Sequence, residues 1–532
     1  MNFDVTLQAQ IARTRRHGLG ELLWRSAQRV PNKTALVYRD QRWTYAELDT
    51  LANRMANALR ERGIVKGERV AVLSHNNASF VVLQFALARV GAIMVPINFM
   101  LKAAEVAFIL GHSGAVALVA EDMLVPVADE ALSEADRTIR LRGVIPDHGA
   151  TYSEGWEDTS TWLAHPNTQT PDVPVDDDEP AQILYTSGTE SRPKGATLSV
   201  RNLVAQYVSC IVDGDMSGDD IEVHALPLFH CAQLHCFMTP GLYLGATNIL
   251  LNGADPTAML AAVESEGATK LFCPPTVWIG LLRHPDFDQR NLSSLRKGFY
   301  GASIMPMEVV KEISTRLPAM RLYNFYGQTE MSPVATILKP EDQLRKLGSA
   351  GRAAINVETR VVDDNDQSVP AGTIGEIVHR GPHVMLGYWN DPEKTKEAFR
   401  NGWFHSGDLG VMDAEGYLSV VDRKKDMIKT GGENVASREV EEVVYQHPAV
   451  AEVAVFGLSH PSWIEAVTAA YVCKTGQNVN EEELRIHCLE RLAGFKTPKR
   501  FMWVDALPKN ASGKILKRNL RDQFADIYAG AD

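Results

Sequence analysis

The sequence predicts an α/β protein. A large N-terminal domain of αβ sheet subdomains plus a small β-barrel-like subdomain is followed by a small α+β C-terminal domain. Three observations predict this. Helix and strand patterns alternate up to about residue 320, short β runs with turns replace them from residue 348, and a compact αβ unit follows a charged stretch at 422–425. Strand, helix, strand in that rhythm implies a parallel sheet covered on both faces. The expected division is 1–421, a hinge at 422–425, and 426–532, the last being large enough to fold alone.

Taken in order, residues 44–62 (TYAELDTLANRMANALRER) place apolar side chains at helical spacing, and Thr44 with Glu47 forms a capping-box pattern. Residues 69–73 (RVAVL) predict a short buried strand, 80–90 a buried helix, 92–97 a buried strand and 115–120 another. The acidic, Pro-flanked stretch 172–180 reads as a solvated linker rather than a metal site, because adjacent like charges mark exposed loops. A second αβ set supplies strands at 221–226, 248–251, 270–273 and 297–300. Short β runs follow at 357–362, 375–379, 410–413 and 417–421. The last unit has helices at 437–446 and 480–492 and strands at 450–457 and 467–472.

Composition narrows the function. Of 532 residues, 45% are hydrophobic and 23% charged, which is globular composition. A formal charge of -12 argues against nucleic acid as the main partner. Six cysteines are too few for a disulfide scaffold and read as mostly buried thiols in a reducing compartment. Arg89, Gly91 and Pro96 interrupt the most apolar stretch, 80–101, so no transmembrane segment is expected. The expected location is cytoplasmic, with peripheral membrane contact and a homodimer left open.

Five segments carry chemistry. ILYTSGTESRPKG, at 183–195, leads an apolar strand into Thr186, Ser187, Gly188 and Thr189 and ends near Lys194. Hydroxyls and free N–H groups packed that densely suit a polyphosphate, although alone the segment is also an ordinary Ser/Gly turn. It is not a Walker A loop, because Lys194 follows a proline. YGQTE, at 326–330, gathers an aromatic, a hydroxyl and a carboxylate around one glycine, and Glu330 suits Mg²⁺ held against a phosphate. WFHSGDL, at 403–409, sets Asp408 after a glycine, where it suits ribose hydroxyls. DRKKDMIKTGGENV, at 422–435, joins a charged hinge to a Gly-Gly turn, and LPKNASGKILKR, at 507–518, presents Lys514 after Gly513.

In this order and at these distances the five segments resemble the acyl-adenylate-forming superfamily, which includes acyl-CoA synthetases, nonribosomal peptide adenylation domains and luciferases. The resemblance runs from about Leu23 to Arg521. It implies a mobile C-terminal domain and two half-reactions. In the first, a carboxylate attacks the α-phosphate of Mg·ATP. In the second, the small domain rotates and a thiol attacks the acyl-AMP. By motif matching, residues 186–194 grip the phosphates, Thr186 and Glu330 serve the metal, and Thr329 and Glu330 handle phosphate. Gly301, Ala302, Ser303, Asn324, Phe325 and Tyr326, with Gly327 and Gln328 beside them, line the nucleotide. Asp408 and Arg423 hold ribose, Lys514 reaches the carboxylate and α-phosphate, and Lys425 falls at the hinge. Lys429, Gly431 and Gly432 match the pantetheine path. Two departures stand out. Glu190 and Ser191 replace the family's hydroxyl and glycine, adding a repulsive carboxylate and stiffening the loop. Ser437 is followed by Arg438 rather than proline, with Ser437 expected as the helix N-cap.

His230, Cys231, His235 and Cys236 suggest zinc, but the spacing is wrong for paired ligands. The resemblance instead makes His230 a gate beside the substrate carboxylate. The acyl-pocket candidates are Phe229, His230, Leu234, Trp278 (after Pro274 and Pro275, at the expected end of a buried strand), Tyr300, Met331, Pro333 and Val334. They are mostly apolar, and no aspartate stands where amino-acid-activating relatives hold an amine. A fatty acid is therefore the first expectation and a coumarate-type aryl acid the second. A third is an adenylate former that does not use CoA, either luciferase-like or donating acyl-AMP to a carrier protein. The chain ends shortly after Lys514, which points to CoA as the thiol. The expected activity is an AMP-forming acid–thiol ligase using ATP, Mg²⁺ and CoA.

Overall fold

The computed structural model describes residues 5–186, 193–510 and 513–529. The first buried helix pattern becomes Tyr45–Glu61, closed by the expected capping box: Glu47 N–H donates to Thr44 Oγ1 (3.2 Å) and Thr44 N–H to Glu47 Oε2 (2.8 Å). Such a cap contributes ~0.5–2 kcal/mol. The predicted strand at 69–73 forms as Arg69–Leu73, and Ala78–Val90 forms the buried helix after it. That helix is apolar on all sides because it is covered on all sides. Its one charge, Arg89, donates to Asp49 O (2.8 Å) and Asn53 Oδ1 (2.7 Å) and pairs with the Asp49 carboxylate. Each large apolar side chain buried there contributes ~1.5–3 kcal/mol.

Two large sheets make the N-terminal part. One orders Gly387–Tyr388, Lys194–Ser199, Pro180–Thr186, Ile93–Ile97, Arg69–Leu73, Ala117–Glu121, Leu141–Ile145 and Glu157–Asp158, the last six parallel. The other sets Thr34–Tyr38, Thr247–Leu250, Ile221–His224, Lys270–Phe272, Lys297–Gly301 and Arg321–Gly327 parallel, with antiparallel strands at its edges. The β-rich region is a partial barrel of Glu358–Val362, Ile374–Arg380, Phe399–Arg400, Trp403–Met412 and Leu418–Arg423, all antiparallel. The C-terminal part packs helices Ser437–Tyr445 and Glu481–Leu489 on a sheet led by Val450–His460 and Ile464–Cys473.

Asp422 and Arg423 end the strand Leu418–Arg423, and residues 424–427 form the irregular connector to the C-terminal part. Two expectations are corrected. Ser437 is not the N-cap of its helix; Ala436 is, and it makes no side-chain cap. The Asp422 carboxylate substitutes from outside the helix, accepting from Ser437 N–H and Oγ–H at 2.7 Å each. Trp278, expected at a strand end, lies in the helix Pro275–Arg283, because Pro275 starts that helix rather than ending the strand before it. Five cysteines are buried and free, and Cys473 is partly exposed and free. Among the described residues no helix is long and apolar enough to cross a membrane.

Candidate active site

The turn bearing Lys514 rests against the N-terminal part. Asn510 Oδ1 accepts from Lys514 N–H (2.9 Å), and Thr276 Oγ1 donates to Gly513 O across the two parts (3.2 Å). Gly513 has φ +79°, and a Cβ there would come 2.5 Å from Thr276 Oγ1, so this contact needs glycine. Lys514 is exposed to solvent, with protein atoms crowded around its amine. Burial first, then the charges of Arg423 and Lys425, pull its amine down to about 8, against the opposing pull of Asp408 and Asp426. His230 faces the same charge. Burial and Lys514 lower its imidazole to about 4, so it is neutral at pH 7.

Asp408 and Arg423 are direct partners in antiparallel register, with Arg423 Nε 3.3 Å from Asp408 Oδ1. The Tyr326 hydroxyl donates to Asp408 Oδ2 (2.8 Å), and burial followed by the Asp408 charge raises the phenol far above its ordinary range. A buried carboxylate that accepts from a phenol and pairs with a guanidinium still has lone pairs to offer hydroxyl donors.

Glu330 is buried on the short turn Thr329–Met331, where its Oε1 accepts from the Tyr388 hydroxyl (2.8 Å). The Lys194 ammonium lies 5.3 Å from the centre of the same Tyr388 ring. Tyr388 therefore ties a carboxylate to a cation. It is held there because Gly387–Tyr388 pairs with the strand Lys194–Ser199 and Trp389 N–H donates to Gly195 O (2.7 Å). Thr186 ends the neighbouring strand opposite Lys194. Ser187, Gly188 and Thr189, with Glu190 and Ser191, lie outside the described residues. One carboxylate near a lysine suits Mg²⁺ shared with phosphate oxygens. Glu330→Gln is expected to raise the Mg²⁺ concentration needed for half-maximal activity. An activity titration against Mg²⁺ that overlays the wild type would remove Glu330 from that role.

The remaining nucleotide candidates separate. Gly301 and Gly327 leave no space for a side chain: a Cβ would meet Phe325 O at 2.3 Å and Pro333 O at 1.9 Å. Ala302 holds φ +64°, unusual for a residue with a Cβ, and Ser303 follows it half-buried. Asn324 and Tyr326 share one face of their strand; Asn324 Nδ2 donates to Ser349 O (3.1 Å). Phe325 points the other way, against Phe299 (5.1 Å) and Phe237 (5.7 Å), so its side chain belongs to the core. The Gln328 Nε2 is buried without a partner, and Thr329 Oγ1 lies 3.2 Å from Cys231 Sγ.

Behind His230 the chain forms a π-helix, Ala232–Met238, a widened turn frequent at functional sites. It buries Leu234 completely. His235 is satisfied by the Tyr207 hydroxyl (2.7 Å) and Gln182 Oε1 (2.9 Å), and the His–Cys run forms no metal-ligating group among the described residues. Phe229 meets Phe99 edge-on (5.4 Å). Met331, Pro333 and Val334 are buried, and the Tyr300 hydroxyl donates to Gln343 Oε1 (2.9 Å). Trp278 is fully buried with Nε1 donating to Phe299 O (2.9 Å). On the C-terminal part, Lys425 is drawn down to about 8 by burial and Arg423. Lys429, Gly431 and Gly432 are exposed, both glycines have positive φ, and nothing lies within 4 Å of a Cβ at Gly432.

The amine of Lys514 is charged only below about 8 in the free enzyme. The expected result is that kcat/KM for ATP in pyrophosphate exchange falls above pH 8, since that ratio reports free-enzyme pKa values. Lys514→Arg, whose charge does not titrate there, should move the limb upward, whereas Lys425→Arg should not. An unchanged limb in Lys514→Arg would exclude this amine as its source.

Sequence reasoning missed Tyr388 and Thr276, and it assigned no contact to Asn510 or Asp422, which stand inside its motif segments. Each acts through a partner distant in the chain or through a turn, and only the Gly-Tyr-Trp run at 387–389 offered a local signal. The chain matches the AMP-binding enzyme family over residues 23–389 and the AMP-binding enzyme C-terminal domain over 439–514. It is 38% identical over 512 residues to a feruloyl-CoA synthase of Amycolatopsis sp, covering 96% of this chain and 100% of that one. It is 36% identical to a long-chain-fatty-acid–CoA ligase of Mycobacterium tuberculosis, covering 91% and 94%. An anthranilate CoA ligase in complex with anthranoyl-AMP superposes with a TM-score of 0.90 at 28% identity, covering 96% and 98%.

Proposed function

The chain belongs to the AMP-forming acyl-adenylate superfamily, and from that premise we propose that it is an acid–CoA ligase working through an acyl-AMP. The observation that carries the reading is the Lys514 turn, docked on Thr276 over a cleft that also holds Asp408, Arg423 and His230. A carboxylate oxygen attacks the α-phosphorus of ATP, the acyl O–P bond forms, and the bond to pyrophosphate breaks. Lys514 neutralises charge that grows on the phosphoryl oxygens, the preorganised electrostatics that dominate such steps. Neutral His230 borders the carboxylate without adding a competing charge. Asp408 and Arg423 take the ribose hydroxyls, with Tyr326 fixing Asp408. Mg²⁺ held by Glu330 would screen the phosphates, while Tyr388 keeps that carboxylate beside Lys194. A thiolate of CoA, entering past Gly431 and Gly432, then attacks the acyl carbon and AMP leaves.

The buried apolar set Met331, Pro333 and Val334 supports a fatty acid as the acyl donor. The full-length match to a feruloyl-CoA synthase supports an aryl acid as the second reading. ATP–pyrophosphate exchange across straight-chain, branched and aryl acids separates these, and AMP release tests the thiol. CoA-dependent AMP release is expected. Acyl-AMP trapped by hydroxylamine with no response to CoA would sink the ligase reading in favour of a non-CoA adenylate former.

A further inference from the structure

The parallel strands Arg69–Leu73, Ala117–Glu121 and Leu141–Ile145 lie side by side. From Arg69–Leu73 the chain crosses to Ile93–Ile97 on one side, then returns past it to Ala117–Glu121 on the other. The sheet thus reverses its strand order between Arg69–Leu73 and Ala117–Glu121. In open α/β sheets the crevice beyond the carboxyl ends of such strands is where ligands bind. Here the crevice holds His75, just after the first strand, Glu121 at the end of the second, and Asp147 with His148 just after the third.

Glu121 is fully buried, and its Oε2 is fixed by His75 N–H (2.8 Å) and the Ser74 hydroxyl (3.1 Å). Its Oε1 faces both imidazoles: His148 Nε2 at 2.8 Å and His75 Nδ1 at 3.1 Å. Asp147 Oδ2 lies 3.4 Å from His148 Nε2 and also accepts from the Tyr38 hydroxyl (2.7 Å) and Arg39 (2.8 Å). The Asp122 carboxylate pins the loop by accepting from His148 N–H (2.9 Å) and Ala150 N–H (3.0 Å). Ligand atoms of Glu121, Asp147 and His148 all lie within 4.8 Å of one another. Burial alone would raise the Glu121 carboxyl, but the hydrogen bond and charge of His75 hold it below the ordinary range.

We propose that Glu121, Asp147 and His148, with His75 beside them, form a binding site for a divalent transition cation such as Zn²⁺, distinct from the Glu330 carboxylate. A mixed set of imidazole and carboxylate donors suits Zn²⁺ rather than Mg²⁺. The outer bonds from Ser74, Tyr38 and Asp122 orient the donors before any cation arrives, the arrangement that tunes metal sites. Arg39 is the competitor. Its side chain is half-exposed, so it can swing off Asp147 into water.

The test is calorimetric titration of the full chain, without nucleotide, with zinc chloride. About one Zn²⁺ per chain is expected, retained in excess Mg²⁺ and raising the melting temperature by mass action. His148→Ala, a partly exposed position, should weaken binding at least ~10-fold, and Asp147→Asn should weaken it too. Arg39→Ala should tighten it by freeing Asp147, a gain that a merely structural cluster would not show. Glu330→Gln should leave it unchanged. Absence of zinc binding, or wild-type affinity in both His148→Ala and Asp147→Asn, would overturn the site. Affinity lost on Glu330→Gln instead would assign the zinc to the catalytic cleft and equally overturn it.

Discussion

Lys514→Ala is expected to lose acid adenylation by ~10²–10³, the scale for removing one preorganised charge-stabilising donor, and to retain thioester formation from synthetic acyl-AMP and CoA. On the proposed mechanism the amine meets the reacting phosphorus while its turn is docked on Thr276, which donates to Gly513 O, and a finished adenylate has already released its pyrophosphate. Gly432→Leu is the counterpart. It leaves pyrophosphate exchange near normal and slows thioester formation, because an exposed left-handed glycine is replaced by a bulky, strained side chain. Rapid-quench assays of the two half-reactions distinguish them. Equal impairment of both steps in Lys514→Ala would refute the assignment of this lysine to one half-reaction.

The second large effect is on stability. Trp278→Ala is expected to cost ~3–5 kcal/mol, the range for deleting a buried aromatic, with the order of acid preference unchanged. Trp278 packs among Met259, Leu281, Leu295 and Val310, and its loss also removes a donor from Phe299 O. Denaturant melts measure the cost, and relative rates across acids measure preference. A wild-type melt with a changed chain-length profile would make Trp278 a wall of the substrate path after all.

The contrast between Trp278 and the strand Arg69–Leu73 shows what was legible. That strand is apolar on both faces and bounded by polar turns, and it forms on the residues its pattern marks. Around Trp278 the two prolines were read as the end of a strand, although a proline is also at home in the first helical turn, and the second one begins a helix. The motif residues Asp408 and Arg423 were each legible, and their pairing was not, because antiparallel register is a relation between two strands. The contact that Tyr388 makes was not legible for the same reason. Its partner strand lies far upstream, and its bond to Glu330 exists only once the sheet is complete. Ser437 satisfied every local rule for an N-cap, yet Asp422 holds its N–H from outside the helix. Local chemistry was readable, and long-range substitution for it was not.

The hydroxyl of Thr276 and the carbonyl of Gly513 both return to water when they part. A bond of that kind is worth ~0.5–1.5 kcal/mol net, which weights the docked turn over a lifted one by only about 2- to 13-fold at room temperature. A glycine at 513 adds no side-chain grip of its own. By itself this bond therefore gives the docked turn only a modest preference. A ligand that touches Lys514 in one arrangement and not in the other shifts that preference, and on the proposed mechanism acid and nucleotide in the cleft are such ligands.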